Sequence, residues 1–211
     1  TLVTFDELTD QLDMRKKVID KFLKKNNIKT EQIDGFIGRG GLIHPVKSGI
    51  YKVNDNMLDD LSKNTYGEHA SNLGGIIAYE MAKTVGKDAY IADPVVVDEM
   101  SSVAKISGLN GISRRSLWHA LNQKAVARKY AEKYGKKYEE LNLIVAHLGG
   151  GISVGLHKRG RVTDVNNALD GDGPFSPERS GSLPVESVID KKIADVSAKV
   201  IELQAAVTAA A

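Results

Sequence analysis

Short apolar runs that stop abruptly at glycine or aspartate, separated by stretches with helical spacing, constrain this chain most. Phe36-Ile37 runs into Gly38-Arg39-Gly40-Gly41, Ala89-Tyr90-Ile91-Ala92 stops at Asp93-Pro94, and residues 141–147 stop at Gly149-Gly150-Gly151. Such runs read as buried strands. Residues 13–26 read as a helix with an apolar stripe of Met14, Val18, Phe22, Ile19 and Leu23, and residues 54–61 as a short one. Residues 71–85 make a longer helix closed by Gly86, and Ser113 can cap a long helix through Tyr134 that Gly135 closes. Residues 152–156 and 161–165 alternate like paired strands around Lys158-Arg159-Gly160, and a polar loop spans 166–184. Residues 185–211 lack Gly, Pro and aromatic side chains and space Val188, Ile189, Ile193, Val196, Val200, Ile201 and Leu203 for a helix. We expect that helix to cover apolar surface. The alternation predicts an α/β architecture.

The 211 residues are 42% hydrophobic, enough for a real core. Lys and Arg number 29 against 27 Asp and Glu, a net charge of +2 that gives no reason to expect a nucleic-acid partner. Without cysteine, the chain has no disulfide, thiolate zinc site or cysteine nucleophile, and a reducing cytoplasm fits. No run approaches the roughly 20 apolar residues that span a bilayer, so no membrane partner is expected. Thr1-Leu2-Val3-Thr4-Phe5-Asp6 has no basic region before an apolar run, so no secretion signal is read there, and without a starting Met the sequence reads as cut from a longer chain.

Four constellations carry chemistry at strand ends, where open α/β sheets put ligands. In Gly38-Arg39-Gly40-Gly41 the glycines let backbone approach an anion that the guanidinium grips; the plainer reading is a tight turn with a solvated arginine. In Tyr66-Gly67-Glu68-His69-Ala70-Ser71-Asn72, His69 can donate to a phosphoryl or carboxylate oxygen beside a helix start, or Ser71 or Asn72 merely caps that helix. Asp93 pairs with His119, which could equally be a packing residue beside Trp118 and Leu121. His147 with Gly149, Gly150 and Gly151 forms a loop that can cradle phosphate, though a hairpin needs glycine too. Arg179 lies in a later Gly/Pro loop. Together, these histidines, arginines and a strand-end aspartate suit charge stabilisation at a phosphoryl group.

Across roughly residues 10–184 these motifs occur in an order and spacing that resemble butyrate kinase, in the acetate kinase family. Besides the stretches above they include His119-Ala120-Leu121-Asn122-Gln123, Asp164-Val165-Asn166-Asn167-Ala168-Leu169-Asp170-Gly171 and Gly173-Pro174-Phe175-Ser176-Pro177-Glu178-Arg179-Ser180-Gly181. The resemblance implies a ribonuclease-H-like fold of the actin-like ATPase superfamily, incomplete here, with an added C-terminal helix. It implies residues 1–140 as the remainder of the first kinase domain, 141–184 as the start of the second, and 185–211 as an Ala-rich helix unlike the family. It further implies phosphate transfer between ATP, with Mg2+, and butyrate or a similar short-chain carboxylate. By motif, His69, Asp93, His119 and Arg179 resemble catalytic residues, with Asp93 near the metal. Arg39 and Trp118 resemble the substrate-binding arginine and the apolar wall, and His147, Gly149, Gly150 and Gly151 the phosphate hairpin. The family opens with an Asn-Pro-Gly-Ser-Thr-like phosphate loop and continues into glycine motifs for adenosine; neither pattern occurs here, so weak turnover of this stretch alone is expected. The rival readings are a non-catalytic α/β module that binds anions or forms a homo-oligomer, and a sugar kinase of the same superfamily.

Overall fold

A computed structural model describes residues 7–209. Residues 1–6, where no secretion signal is read, lie outside the described residues.

Two three-stranded sheets organise the described residues. In the first, β1 (Phe36–Arg39) runs parallel to the central β3 (Ala89–Ala92), and β2 (Ile50–Lys52) pairs antiparallel on its other side. The three-residue β2 carries no period that sequence reading could use. Helices α1 (Leu12–Lys25), α2 (Asp55–Ser62) and α3 (Asn72–Lys83) accompany this sheet. Asn54 caps α2 by accepting from the Met57 amide at 2.9 Å. Gly86 follows α3 with φ +65°, as a helix-terminating glycine does. Phe36, Leu61, Ile76, Ala82, Ile91 and Val95 are among the buried residues of the core. The apolar stripe on α1 is only partly used: Met14, Val18 and Phe22 are exposed. Leu12, Lys16, Ile19 and Leu23 are half-buried instead, and Lys16 pairs with Glu80 of α3 at 2.6 Å.

The glycines around Arg39 have a packing role. A Cβ on Gly38 would lie 2.2 Å from the Gly74 carbonyl oxygen of α3, and one on Gly74 would lie 2.4 Å from the Arg39 carbonyl oxygen. Gly40 meets Pro94 and Gly41 meets Asn72 at similar range. These glycines therefore bring strand and helix backbones together and fix where Arg39 emerges.

The second sheet is an antiparallel meander of β4 (Asn142–Leu148), β5 (Ile152–Lys158) and β6 (Arg161–Val165), with a bulge at Leu156/His157. Helix α4 (Ala120–Lys133) packs against β4. The sequence suggested a helix from Ser113, but residues 113–119 are not helical. Trp118 N–H donates to the Val95 carbonyl, and Ser116 Oγ and Trp118 Nε1 both donate to the Val97 carbonyl, at 2.7 and 2.8 Å. The segment runs alongside 95–97 because its Leu117 and Trp118 are core residues there. Strand β4, expected to be buried, is an edge strand with one covered face: Val145 is buried, while Ile144 and Leu148 are 77% and 75% exposed.

Helix α5 (Val185–Ala209) forms as its spacing predicts. It does not cover apolar surface over its described part, since Val188, Ile189, Ile193 and Val196 are exposed. The side chains of Val200, Ile201 and Leu203 lie outside the described residues. High helix propensity without Gly or Pro accounts for a helix whose described apolar side chains are exposed.

Candidate functional site

A cavity of about 260 Å³ opens between the two sheets. Its polar side is made by Arg39, His69, His119, His147 and Arg179 with the Gly150-Gly151 backbone, and Glu178 stands at its margin. Its apolar side is made by Val95, Leu117, Trp118, Ala168 and Leu169.

Arg39 stands at the end of β1. Among the described residues it has no ion-pair partner, and burial lowers its pKa from the ordinary value. Arg179 comes from the loop after β6; its Nε donates to the Leu169 carbonyl at 3.4 Å and its Nη1 lies 3.8 Å from Glu178. The cavity therefore carries two guanidinium groups against one carboxylate, and that carboxylate is largely exposed.

His69 precedes α3. Its Nδ1 accepts the Ser71 N–H at 3.2 Å and lies 2.7 Å from Ser71 Oγ. A backbone N–H can only donate, so Nδ1 is unprotonated and neutral His69 carries its proton on Nε2. Ser71 thus orients His69 and makes no side-chain cap on α3. Burial, then Arg39 and Arg179, push the His69 pKa down.

His119 lies at the start of α4 and stacks on His147 at the end of β4, with ring centroids 3.7 Å apart and planes 8° from parallel. The His119 pKa is pushed down to about 4, first by burial and then by His147, Arg39, Arg179 and His69. Burial and Arg39 also lower that of His147, whose Nδ1 lies 2.9 Å from Asn122 Oδ1. Both rings are neutral at pH 7 and can serve as hydrogen-bond partners.

The glycine hairpin is where these groups meet. A Cβ on Gly149 would lie 3.0 Å from His147 Nε2, one on Gly150 2.6 Å from the Glu178 carboxyl, and one on Gly151 2.6 Å from Arg179 Nη1. Ser176 Oγ donates to the Gly150 carbonyl at 2.6 Å, tying the arginine loop to the turn. Side chains at 149–151 would occupy the volume into which His147, Glu178 and Arg179 reach.

Asp93 ends β3 with φ +36°, outside the conformations a non-glycine residue prefers. It is 5% exposed; Oδ1 accepts from Ser48 Oγ and the Gly49 amide at 2.6 and 2.9 Å, and Oδ2 from Arg128 at 3.2 Å. It borders a second hollow shared with Arg39, His119 and His147. Among the described residues no cluster of three or more His, Asp or Glu could hold a metal. Trp118 is 2% exposed and spends its indole N–H on the core, so it contributes only a sliver of ring to the apolar wall.

Sequence reading singled out every histidine and arginine of the cavity but assigned no role to Ser153, Gln123, His157 and Tyr138 behind it. Gln123 falls in a stretch that carries the resemblance, but nothing local to any of the four gives it a role at the site.

No protein-family model matches the chain. Over 185 residues it is 57% identical to butyrate kinase 1 of Clostridium acetobutylicum, covering 88% of this chain and 52% of that relative. Butyrate kinase 2 of the same organism is 56% identical over 183 residues, covering 87% and 51%. This chain resembles part of a butyrate kinase. It spans about half the length of the curated relatives it matches. Among solved structures, Porphyromonas gingivalis acetate kinase superposes with TM-score 0.70 at 20% identity, covering 86% of this chain and 49% of that one. A propionate kinase from Francisella tularensis superposes with TM-score 0.60 at 19% identity, covering 84% and 49%. The α/β fold is thus that of the acetate kinases over roughly half of their length, and the butyrate kinase resemblance extends over the stretch that carries the cavity. No described helix is long and apolar enough to cross a membrane.

Proposed function

We propose that this chain is the carboxylate- and phosphoryl-binding portion of a butyrate kinase that moves phosphate between ATP and a short-chain carboxylate. The observation carrying this reading is the single cavity in which Arg39, His69, His119 and Arg179 face an apolar wall of Val95, Leu117, Ala168 and Leu169. A short alkyl chain suits the wall and a dense negative charge suits the cations.

In this reading a carboxylate oxygen attacks the terminal phosphorus of ATP in line, the bond to the ADP oxygen breaks, and ADP leaves with the electron pair. The carboxylate is already ionised at neutral pH, so no protein base is needed. Arg39 holds the carboxylate. His69 donates through Nε2, and His119 and Arg179 contribute a further ring partner and charge, to equatorial oxygens of the transferring group. His147 and the Gly149–Gly151 turn support the phosphate side.

ATP and Mg2+ belong to this proposal. The cation set fits phosphate oxygens. The metal is a poorer fit to the described residues, since both Asp93 oxygens are engaged and Arg128 stands against one of them, so no step is assigned to it. We take 1–140 and 141–184 as portions of two kinase domains, consistent with the two sheets, and 185–211 as an appendage, in a cytoplasmic protein without nucleic-acid or membrane partners.

The test is a coupled assay for butyryl phosphate in a full-length relative carrying these motifs, comparing wild type with Arg179→Ala. Loss of one charge-stabilising donor should lower kcat by roughly 10²–10³-fold. An unchanged kcat with only a raised KM would make Arg179 a ground-state binder and remove the assigned role. For the 211-residue chain itself, calorimetry should show tripolyphosphate and ATP binding alike; no anion binding at all would sink the site reading. Anion binding here, without acyl phosphate from the full-length relative, would favour the non-catalytic module.

A further inference from the structure

Behind His119 lies a file of buried polar side chains that ends in the cavity. Gln123, Ser153 and His157 are fully buried and Tyr138 is 5% exposed. Among the described residues no buried side-chain polar atom lacks a partner, so this file is fully hydrogen-bonded.

One backbone carbonyl fixes the sense of the whole file. Gln123 Nε2 lies 2.9 Å from the Ser153 carbonyl oxygen, which can only accept, so the amide nitrogen must face it. The other end of the amide, Oε1, therefore faces His157 Nε2 at 2.9 Å, and that nitrogen must donate. Neutral His157 is then unprotonated at Nδ1, which accepts from the Tyr138 hydroxyl at 2.7 Å. On the other side Gln123 Nε2 donates its second hydrogen to Ser153 Oγ at 2.7 Å, and the His119 amide approaches the same oxygen at 3.4 Å. With its lone pairs so engaged, Ser153 Oγ directs its own hydrogen to His119 Nδ1, 2.8 Å away.

Gly155 makes room for this arrangement. On β5 the residues Ser153, Gly155 and His157 share the buried face. A Cβ on Gly155 would lie 2.5 Å from Gln123 Oε1, so the amide occupies the place a side chain would take.

We propose that Ser153 is a positioning residue, held by Gln123 and the His157–Tyr138 pair, that fixes His119 as the tautomer protonated on Nε2 and so presents an N–H donor to the cavity. The proton location stands on hydrogen-bond geometry alone; its use on a phosphoryl oxygen rests on the function proposed above. A rigid, correctly polarised donor needs no reorganisation when charge arrives, which is where such networks gain over a freely turning imidazole.

Long-range proton–nitrogen NMR on the 15N-labelled 211-residue chain at neutral pH reads the tautomer directly, with His119 assigned by the loss of its signals in His119→Asn. His119 and His157 should both show a protonated Nε2 and a bare Nδ1. In Ser153→Ala a population of His119 protonated on Nδ1 should appear while His157 keeps its pattern, since Gln123 still has the residue-153 carbonyl. Ser153→Thr, which retains the hydroxyl, should restore the wild-type pattern. Tripolyphosphate binding should weaken about tenfold in Ser153→Ala and recover in Ser153→Thr. A wild-type His119 protonated on Nδ1, or a tautomer indifferent to Ser153→Ala, overturns the proposal. Failure of wild type to bind tripolyphosphate, with the tautomer pattern as expected, overturns the anion-site reading and leaves the positioning of His119 supported.

Discussion

His119 and His147 lie face to face with ring centroids 3.7 Å apart, although they come from a helix start and a strand end. Two imidazolium ions at that separation repel, and Arg39 acts on both. Burial is the larger cause, and with these charges it keeps both rings neutral at pH 7.

That arrangement predicts proton uptake on anion binding. Free His119 titrates at about 4, below the ordinary 6.5, and a bound dianion raises it again. Between those values, binding should take up protons and tighten as pH falls; near neutrality the uptake should vanish. Calorimetry with sulfate, which does not titrate in this range, in buffers of different ionisation heat should give about half a proton or more at about pH 5. Heats independent of buffer, or affinity falling on acidification, would refute this.

The fully buried His157 predicts acid lability. Burial and then Lys124 push its pKa down to about 4, against the weaker pull of Glu99. The unfolded chain binds this proton at about 6.5 while the folded chain refuses it. The stability is thus present above about 6.5 and lost as pH falls towards about 4, by on the order of 3 kcal/mol. His119 titrates over the same window, discounted for its exposure. Urea unfolding at neutral and acid pH should show a shallower dependence in His157→Gln, whatever that variant costs at pH 7; an unchanged slope would be the contrary result.

How far the sequence could be read depended on whether a residue's reason lay near it in the chain. Strand β3 matches its apolar run because Asp93-Pro94 ends it locally, and Asn54 caps α2 from the adjacent position. Each histidine and arginine of the site was ambiguous taken singly and became legible only as a set, in the order and spacing that carry the resemblance. By contrast, 113–119 has helix-compatible composition, but Trp118 and Ser116 find a better partner in Val97. The glycines beside Arg39 suggested anion contact, whereas Gly74 and Pro94 explain them from distant parts of the chain. Gln123 and Ser153 owe their importance to each other and to His119, a relationship only the fold creates.

The Gly151 position predicts a separation of stability from binding. An Ala Cβ there meets the Arg179 guanidinium end at 2.6 Å, a flexible group that can swing away with little backbone strain. Gly151→Ala should change the unfolding free energy by about 1 kcal/mol or less yet weaken sulfate binding about tenfold, because the displaced arginine is a principal cation of the site. Unfolding curves paired with calorimetry check both halves; unaltered sulfate affinity would mean Arg179 does not serve the anion.

Arg39 leaves the first sheet at the end of β1, and Arg179 arrives only after the last strand of the second. No contiguous stretch of the chain owns the cavity. A chain in which either sheet is unformed therefore lacks part of the site, and an anion should bind the completed fold more tightly than any partly folded one. An occupant of this cavity should therefore act as a late clasp, slowing the opening of the completed fold more than it changes the pace of its assembly.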